Sequence, residues 1–179
     1  MHQISNLARI GLIIDKLTNS IENAITGDSF QTEISLIQKN DFRSLIKKNG
    51  WLFNWKLESS FLEREIYKLT IVGNQNIAQG LISLEPKEDH VYMHLIESAP
   101  FNRGKDKVYF GVLGNLVAFA CKYSFQRGFE GNVGFLSKTR LVEHYADVLG
   151  AIHIGRGAMI IEEKAAQKLI QKYYPNFLL

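Results

Sequence analysis

Between His90 and Gly128 the chain reads HVYMHLIESAPFNRGKDKVYFGVLGNLVAFACKYSFQRG, and no other stretch restricts the fold as much. A strand-like run, VYMHLIES, leads into a loop bearing Arg103, Lys105 and Lys107, then two glycines, then a long apolar helical run that stops at Gly128. Another short strand-like run, NVGFLS, follows at once. Strand, long helix, strand in that order predicts a crossover joining two parallel strands. The join also has chemical content. The first turn of a helix carries unpaired N–H groups and a partial positive charge. Glycines at 111 and 114 let a phosphate approach that backbone, and the cationic loop adds charge beside it. The segment therefore predicts a phosphate-bearing ligand at a strand-to-helix turn. The plainer alternative is that the glycines seat the helix on a sheet and that Lys105 and Lys107 are solvated.

The rest of the chain supplies elements around this unit. Leu7, Ile10, Ile14 and Leu17 recur at helical spacing after a capping Ser5 or Asn6. SIENAIT and SFQTEISLI flank Gly27-Asp28, which fits a type II′ hairpin turn. That register pairs Ile25 with Phe30 and Ile21 with Ile34, and sets Glu22 opposite Glu33. DFRSLIKKNG predicts a short helix ended by Gly50. WLFNWKL and EIYKLTIV read as strands, the first alternating Trp51, Phe53 and Trp55 on one face. Those aromatics suit core packing, and an acceptor pocket or partner surface is the alternative. LISLEP and VYMHLIES are strands joined through Pro86. Helices are expected over 108–127 and, stopped by Gly150, over 139–149. AIHIG and AMIIE form a hairpin about a GRG turn, and EEKAAQKLIQKYY is an amphipathic helix. The sum is a single α+β domain with a mostly antiparallel central sheet and flanking helices.

Composition narrows the function classes. At 179 residues the chain suits one domain with a core. No apolar run reaches the roughly 18 residues of a membrane span, and the start does not read as a signal peptide. Cys121 is the single cysteine, which excludes an internal disulfide and a cysteine zinc site. These features predict a cytoplasmic protein with no membrane partner. A net charge of +3 is too small to argue for nucleic acid. His90 and His94 lie about 13 Å apart along a strand, too far for one metal, so no metal site is expected. There is no GxSxG, GxxxxGK[ST] or HExxH.

With these elements laid out, residues 65–174 resemble the GNAT (acyl-CoA N-acyltransferase) superfamily, leaving 1–60 as a divergent N-terminal helix and hairpin region. The resemblance rests on IAQGLISLEP, HVYMHLIESAP, the basic loop, the Gly-bearing helix start, NVGFLS and LVEHYADVLGA, in that order. The family's pyrophosphate loop, Q/R-x-x-G-x-G/A, is met at Gly111, and the Leu that follows it at Leu116. Leu113 stands where the second Gly or Ala is usual and Val108 where Gln or Arg is usual. The resemblance implies a GNAT-like fold, acetyl-CoA as co-substrate, and transfer of acetyl to an amine. It implies that backbone around Leu95, Ile96 and Ser98 faces the pantetheine arm. The pyrophosphate would then lie near Gly111, Gly114 and Asn115, with Arg103, Lys105 and Lys107 nearby.

Two side chains suit the proton transfers. Glu97, at the end of its strand, is a candidate base; its structural alternative is an ion pair with Arg103 or a lysine. Tyr145 is where many relatives place the tyrosine that protonates the thiolate, although it also belongs to the apolar stripe of Leu141, Val148 and Leu149. The expected function is an N-acetyltransferase for an amine of a small molecule or protein. The alternative is a catalytically degenerate module on the same fold that binds coenzyme A or a protein partner. A homodimer is open, and the acceptor is unreadable.

Overall fold

The computed structural model describes residues 20–138 and 141–179. The helix expected over 7–17 lies outside the described residues. Nine strands form one sheet: β1 (Ser20–Asn23), β2 (Ser29–Leu36), β3 (Glu65–Ile71), β4 (Gly80–Pro86), β5 (Val91–Ser98), β6 (Tyr109–Phe110), β7 (Val133–Leu136), β8 (Ile152–Gly155) and β9 (Ala158–Ile161). Their spatial order is β6-β1-β2-β3-β4-β5-β7-β9-β8. Every neighbouring pair is antiparallel except β5 and β7, which lie parallel. The helices are α1 (Trp55–Glu58), α2 (Val112–Gln126), α3 (Val142–Leu149) and α4 (Glu163–Tyr173). Helix α2 is the crossover between the parallel strands, as the sequence order demands.

Period-two alternation divides the strand side chains between two apolar clusters. Leu69, Ile82, Leu84 and Met93 join α2 and α4 residues, among them Leu116, Val117, Ala120 and Ile170, in the main core. Ile66, Leu81 and Leu95 belong to the second cluster, with Leu45, Trp51 and Trp55. Along β5 the alternation breaks once. Met93 pairs with Leu84 and Leu95 with Ser83, so His94 is an extra residue, a β-bulge. The bulge switches the parity of everything after it, which puts Met93 and Ile96 on the α2 side and Leu95 on the other.

Four local expectations need correction. The first hairpin pairs Ile21 with Phe30 and Glu22 with Ser29, and Ile25 is 94% exposed. Asn23 causes the change: its Oδ1 accepts from the Ile25 and Thr26 N–H groups, and its own N–H donates to the Asp28 carbonyl. That makes a wide Asx-type loop where a two-residue turn was expected. Residues 41–50 form two 3-10 turns, Asp41–Arg43 and Lys47–Asn49, not an α-helix. The WLFNWKL segment is not a strand. Asn54 caps α1 by accepting from the Leu57 N–H, and the indoles of Trp51 and Trp55 are buried while Phe53 is 38% exposed. The long helix starts at Val112 and not at 108, because Tyr109 and Phe110 pair with β1. Gly111 then turns the chain into the helix at φ +88, a backbone state that favours glycine.

Candidate functional site

The parallel pair is short. Only Val91, Tyr92 and Met93 of β5 face Val133, Gly134 and Phe135 of β7. Past Met93, β5 runs on to Ser98 paired with β4, while β7 follows β9 as far as Leu136 opposite Ala158. One edge of β5 is thus left open from His94 onward. The Ala99 N–H donates to the Gln79 carbonyl on the β4 side. By alternation, Ile96 and Ser98 turn their N–H and C=O groups toward the open edge. A pocket of about 160 Å³ occupies the gap. Met93, His94 and Ile96 line it from β5, Leu113, Gly114 and Val117 from α2, and His144, Tyr145, Val148 and Leu149 from α3.

Of the residues singled out in the sequence, Ile96, Gly114 and Tyr145 meet at this pocket. Tyr145 stands edge-on to Phe135, with ring centroids 5.5 Å apart. Leu95 points away, into the tryptophan cluster, and Ser98 is buried at the strand's end.

Glu97 is 4% exposed and surrounded by donors. Its Oε1 accepts from the Leu52 N–H at 2.6 Å and faces Arg103 Nη1 at 3.4 Å. Its Oε2 accepts from Trp55 Nε1 at 2.8 Å and the Phe53 N–H at 3.3 Å. The carboxylate thus fastens the 51–55 segment to the sheet. Arg103 is equally engaged, since its other terminal nitrogen donates to the Gly50 carbonyl. Lys105 is exposed, and Lys107 lies 5.3 Å from the centre of the Phe110 ring.

At the start of α2, Asn115 donates through Nδ2 to the Ser20 and Gly111 carbonyls, tying the first turn to β1. Gly114 is there for contact with α4: a Cβ on it would lie 2.1 Å from the Tyr173 hydroxyl. A lysine of the same helix also reaches this turn. Lys172 and Tyr173 share with Gly111 and Phe110 a recess of about 220 Å³ at the mouth of α2. Lys172, some 60 residues later in the chain, thus joins Gly111 at the helix N-terminus.

His94 is the functional candidate that sequence reasoning passed over, having weighed it only as a metal ligand. The bulge sets it at the pocket, its Nε2 is 2.6 Å from Glu85 Oε2, and its ring lies 4.7 Å from that of Tyr92. Lys87, then His94, hold the Glu85 carboxyl below its ordinary range. Glu85 on β4 pairs with Tyr92, so alternation alone would have put His94 near it; the pocket depends on the bulge.

Elsewhere two carboxylates are well matched, while Glu33 Oε1 and Arg64 Nε are buried without a hydrogen-bond partner. Glu58 accepts both bonds from Arg64 Nη1 at 2.9 Å and one from Ser83 Oγ at 2.6 Å. Glu65 Oε2 accepts from the Tyr67 and Tyr123 hydroxyls, each at 2.6 Å. Burial, then the bond to Glu65, pushes the Tyr123 hydroxyl up to about 12. Burial also raises the Cys121 thiol in the middle of α2, which leaves it a packing residue. Among the described residues no cluster of three or more His, Cys, Asp or Glu is placed to hold a metal, and no helix is long and apolar enough to cross a membrane.

No family model matches this sequence, and neither does any curated protein. Solved structures do. A chimera of the spermidine N-acetyltransferase SpeG from Vibrio cholerae with hSSAT aligns at a TM-score of 0.55 and 15% identity, over 76% of this chain and 99% of that one. SpeG from Vibrio cholerae in complex with manganese ions aligns at 0.54 and 16%, over 77% and 96%. A mutant AtaT toxin, bound to the C-terminus of the antitoxin AtaR and to acetyl-CoA, aligns at 0.51 and 12%, over 78% and 98%. The chain has the GNAT acetyltransferase fold, as the sequence resemblance implied.

Proposed function

We propose that this protein is an acyl-CoA-dependent N-acyltransferase working at the gap between β5 and β7. The open edge of β5 carries the reading. Ile96 and Ser98 offer a ladder of backbone groups beside an apolar pocket, and the Gly111-capped start of α2 lies at the same end of the sheet. That combination fits an extended amide-bearing arm ending in a phosphate better than a compact metabolite. Acetyl-CoA is the natural form of such a ligand, and the AtaT neighbour was solved with it. When bound, it supplies an activated thioester.

The chain's own contribution is orientation and proton handling. Ile96 and Ser98 align the arm, while Leu113, Val117 and Val148 keep the pocket dry. An amine must lose a proton to attack, and the departing thiolate gains one. His94 is the proposed proton acceptor. Its bond to the Glu85 carboxylate holds the proton of the neutral ring on Nε2, which leaves Nδ1 able to accept. Tyr145 is the proposed donor. Glu97, with both oxygens occupied, is a positioning residue that holds the 51–55 segment against the far face of the sheet. Steady release of free thiol from acetyl-CoA with some member of an amine panel (polyamines, aminoglycosides, peptide N-termini) tests the reading. Binding of acetyl-CoA with no release from any amine would favour a coenzyme-binding module instead. No binding at millimolar acetyl-CoA would refute both.

A further inference from the structure

A second cavity, of about 570 Å³, lies between α3 and α4. Val148 and Leu149 line both it and the apolar pocket, so the two spaces adjoin. Lys164, Lys168 and Lys172 line it from α4. Spaced four residues apart, they stand on one face of the helix and span about 12 Å along its axis. None of them is in an ion pair among the described residues. Two carboxylates, Asp147 and Glu162, also face the cavity, so three lysines against two acids leave a net charge of +1 on its walls. Lys172 has a further position: it lines the recess at Gly111 as well. The row of cations therefore runs from the cavity to the first turn of α2. The Tyr173–Gly114 contact holds α4 at that distance, and it closes only because residue 114 has no side chain.

We infer that α4 is the phosphate-binding arm of this protein: Lys172, with Lys168 behind it, binds the phosphate groups of the coenzyme whose thioester end enters the β5–β7 gap. Lys172 meets the phosphate nearest the unpaired N–H groups of α2, and Lys168 and Lys164 receive the more distal anionic groups along the cavity. The inference rests on the coenzyme reading given above, and it moves the cationic contacts from the 103–107 loop to the C-terminal helix. It also accounts for Leu113. The pocket tolerates a large side chain there because the charged end of the ligand is drawn toward α4.

Calorimetry with acetyl-CoA and with S-acetylpantetheine, which lacks the phosphates, tests this on the whole chain. Lys168 and Lys172 are exposed, and Lys168→Gln with Lys172→Gln should leave the far-UV circular dichroism and the melting temperature unchanged. A charge-assisted hydrogen bond contributes about 1.5–3 kcal/mol, so each substitution should weaken acetyl-CoA binding about tenfold or more. Affinity for S-acetylpantetheine should not change, and the salt dependence of acetyl-CoA binding should become shallower. Equal acetyl-CoA affinity in wild type and double variant overturns the inference while leaving the coenzyme reading intact. So does a loss seen with Lys105→Gln and absent with Lys172→Gln. Failure of the wild type to bind acetyl-CoA overturns the coenzyme reading itself.

Discussion

Glu97→Gln separates a structural carboxylate from a catalytic one. The substitution keeps the shape and removes the charge and one acceptor. Whichever way the new amide is turned, its NH₂ group faces donors. In one orientation it meets Trp55 Nε1 and the Phe53 N–H, in the other the Leu52 N–H and Arg103. One short bond, of 2.6 or 2.8 Å, is lost in either case, and a buried donor is stranded. The retained bonds lose their charge assistance. A hydrogen bond to a charged group contributes about 1.5–3 kcal/mol, and removing one partner of a buried pair costs about 3–5 kcal/mol. Because Arg103 keeps its bond to the Gly50 carbonyl, a cost between these two ranges applies, about 2–4 kcal/mol. For a chain of this length that lowers Tm by about 4–16 °C. Thermal melts followed by circular dichroism, with urea titration as a check, read this directly. Indole fluorescence should shift as well, since Trp55 loses its partner. An unchanged Tm together with abolished thiol release would refute the reasoning and restore Glu97 as the base.

Three further outcomes follow from the same geometry. Gly114→Ala should cost about 1–3 kcal/mol by overpacking against the Tyr173 ring, and Tyr173→Leu should relieve most of that cost in the double variant, which unfolding titrations will measure. His94→Asn should lower turnover about 10²–10⁴-fold with acetyl-CoA affinity preserved, whereas equal turnover across the pH range would exclude it as the proton acceptor. Tyr123 ionises near 12 in the fold against about 10 in the unfolded chain, and burial also raises Tyr67, Tyr173 and Tyr174. The native state then keeps protons that the unfolded state gives up, so stability is full below about pH 10 and falls as pH rises toward 12. Phenolate absorbance should therefore rise in two steps, the second coinciding with unfolding; a single step near pH 10 contradicts this.

The elements that sequence alone resolved are those whose apolar runs have clear turn signals at both ends. β3, β4, β5, β7 and the β8–β9 hairpin are apolar runs bounded by turn residues, and α4 keeps its apolar face throughout, so order and the parallel crossover could be read directly. Two of the misreadings share an origin: a single side chain competing for the backbone. Asn23 widened the first hairpin, and Asn54 caps a helix starting at Trp55, which breaks the strand pattern of Trp51, Phe53 and Trp55. Tyr109 and Phe110 left the helix because β1 offered them a ladder, a partner far away in the chain. Of the candidates named from the sequence, Ile96, Gly114 and Tyr145 line the pocket, but the bulge that sets His94 there has no local signature. Lys172 could not be placed at the mouth of α2 from the sequence, since it reaches there only through tertiary packing.

If the open edge of β5 receives an acyl-CoA arm, its backbone amides are covered on binding. Amide hydrogen exchange at single-residue resolution, with and without saturating acetyl-CoA, tests it most directly. Exchange at Ile96 and Ser98 should slow on ligand addition, together with the first N–H groups of α2 at Val112 and Leu113. Unchanged exchange at these amides in the presence of saturating acetyl-CoA, or slowing confined to another edge of the sheet, would contradict it.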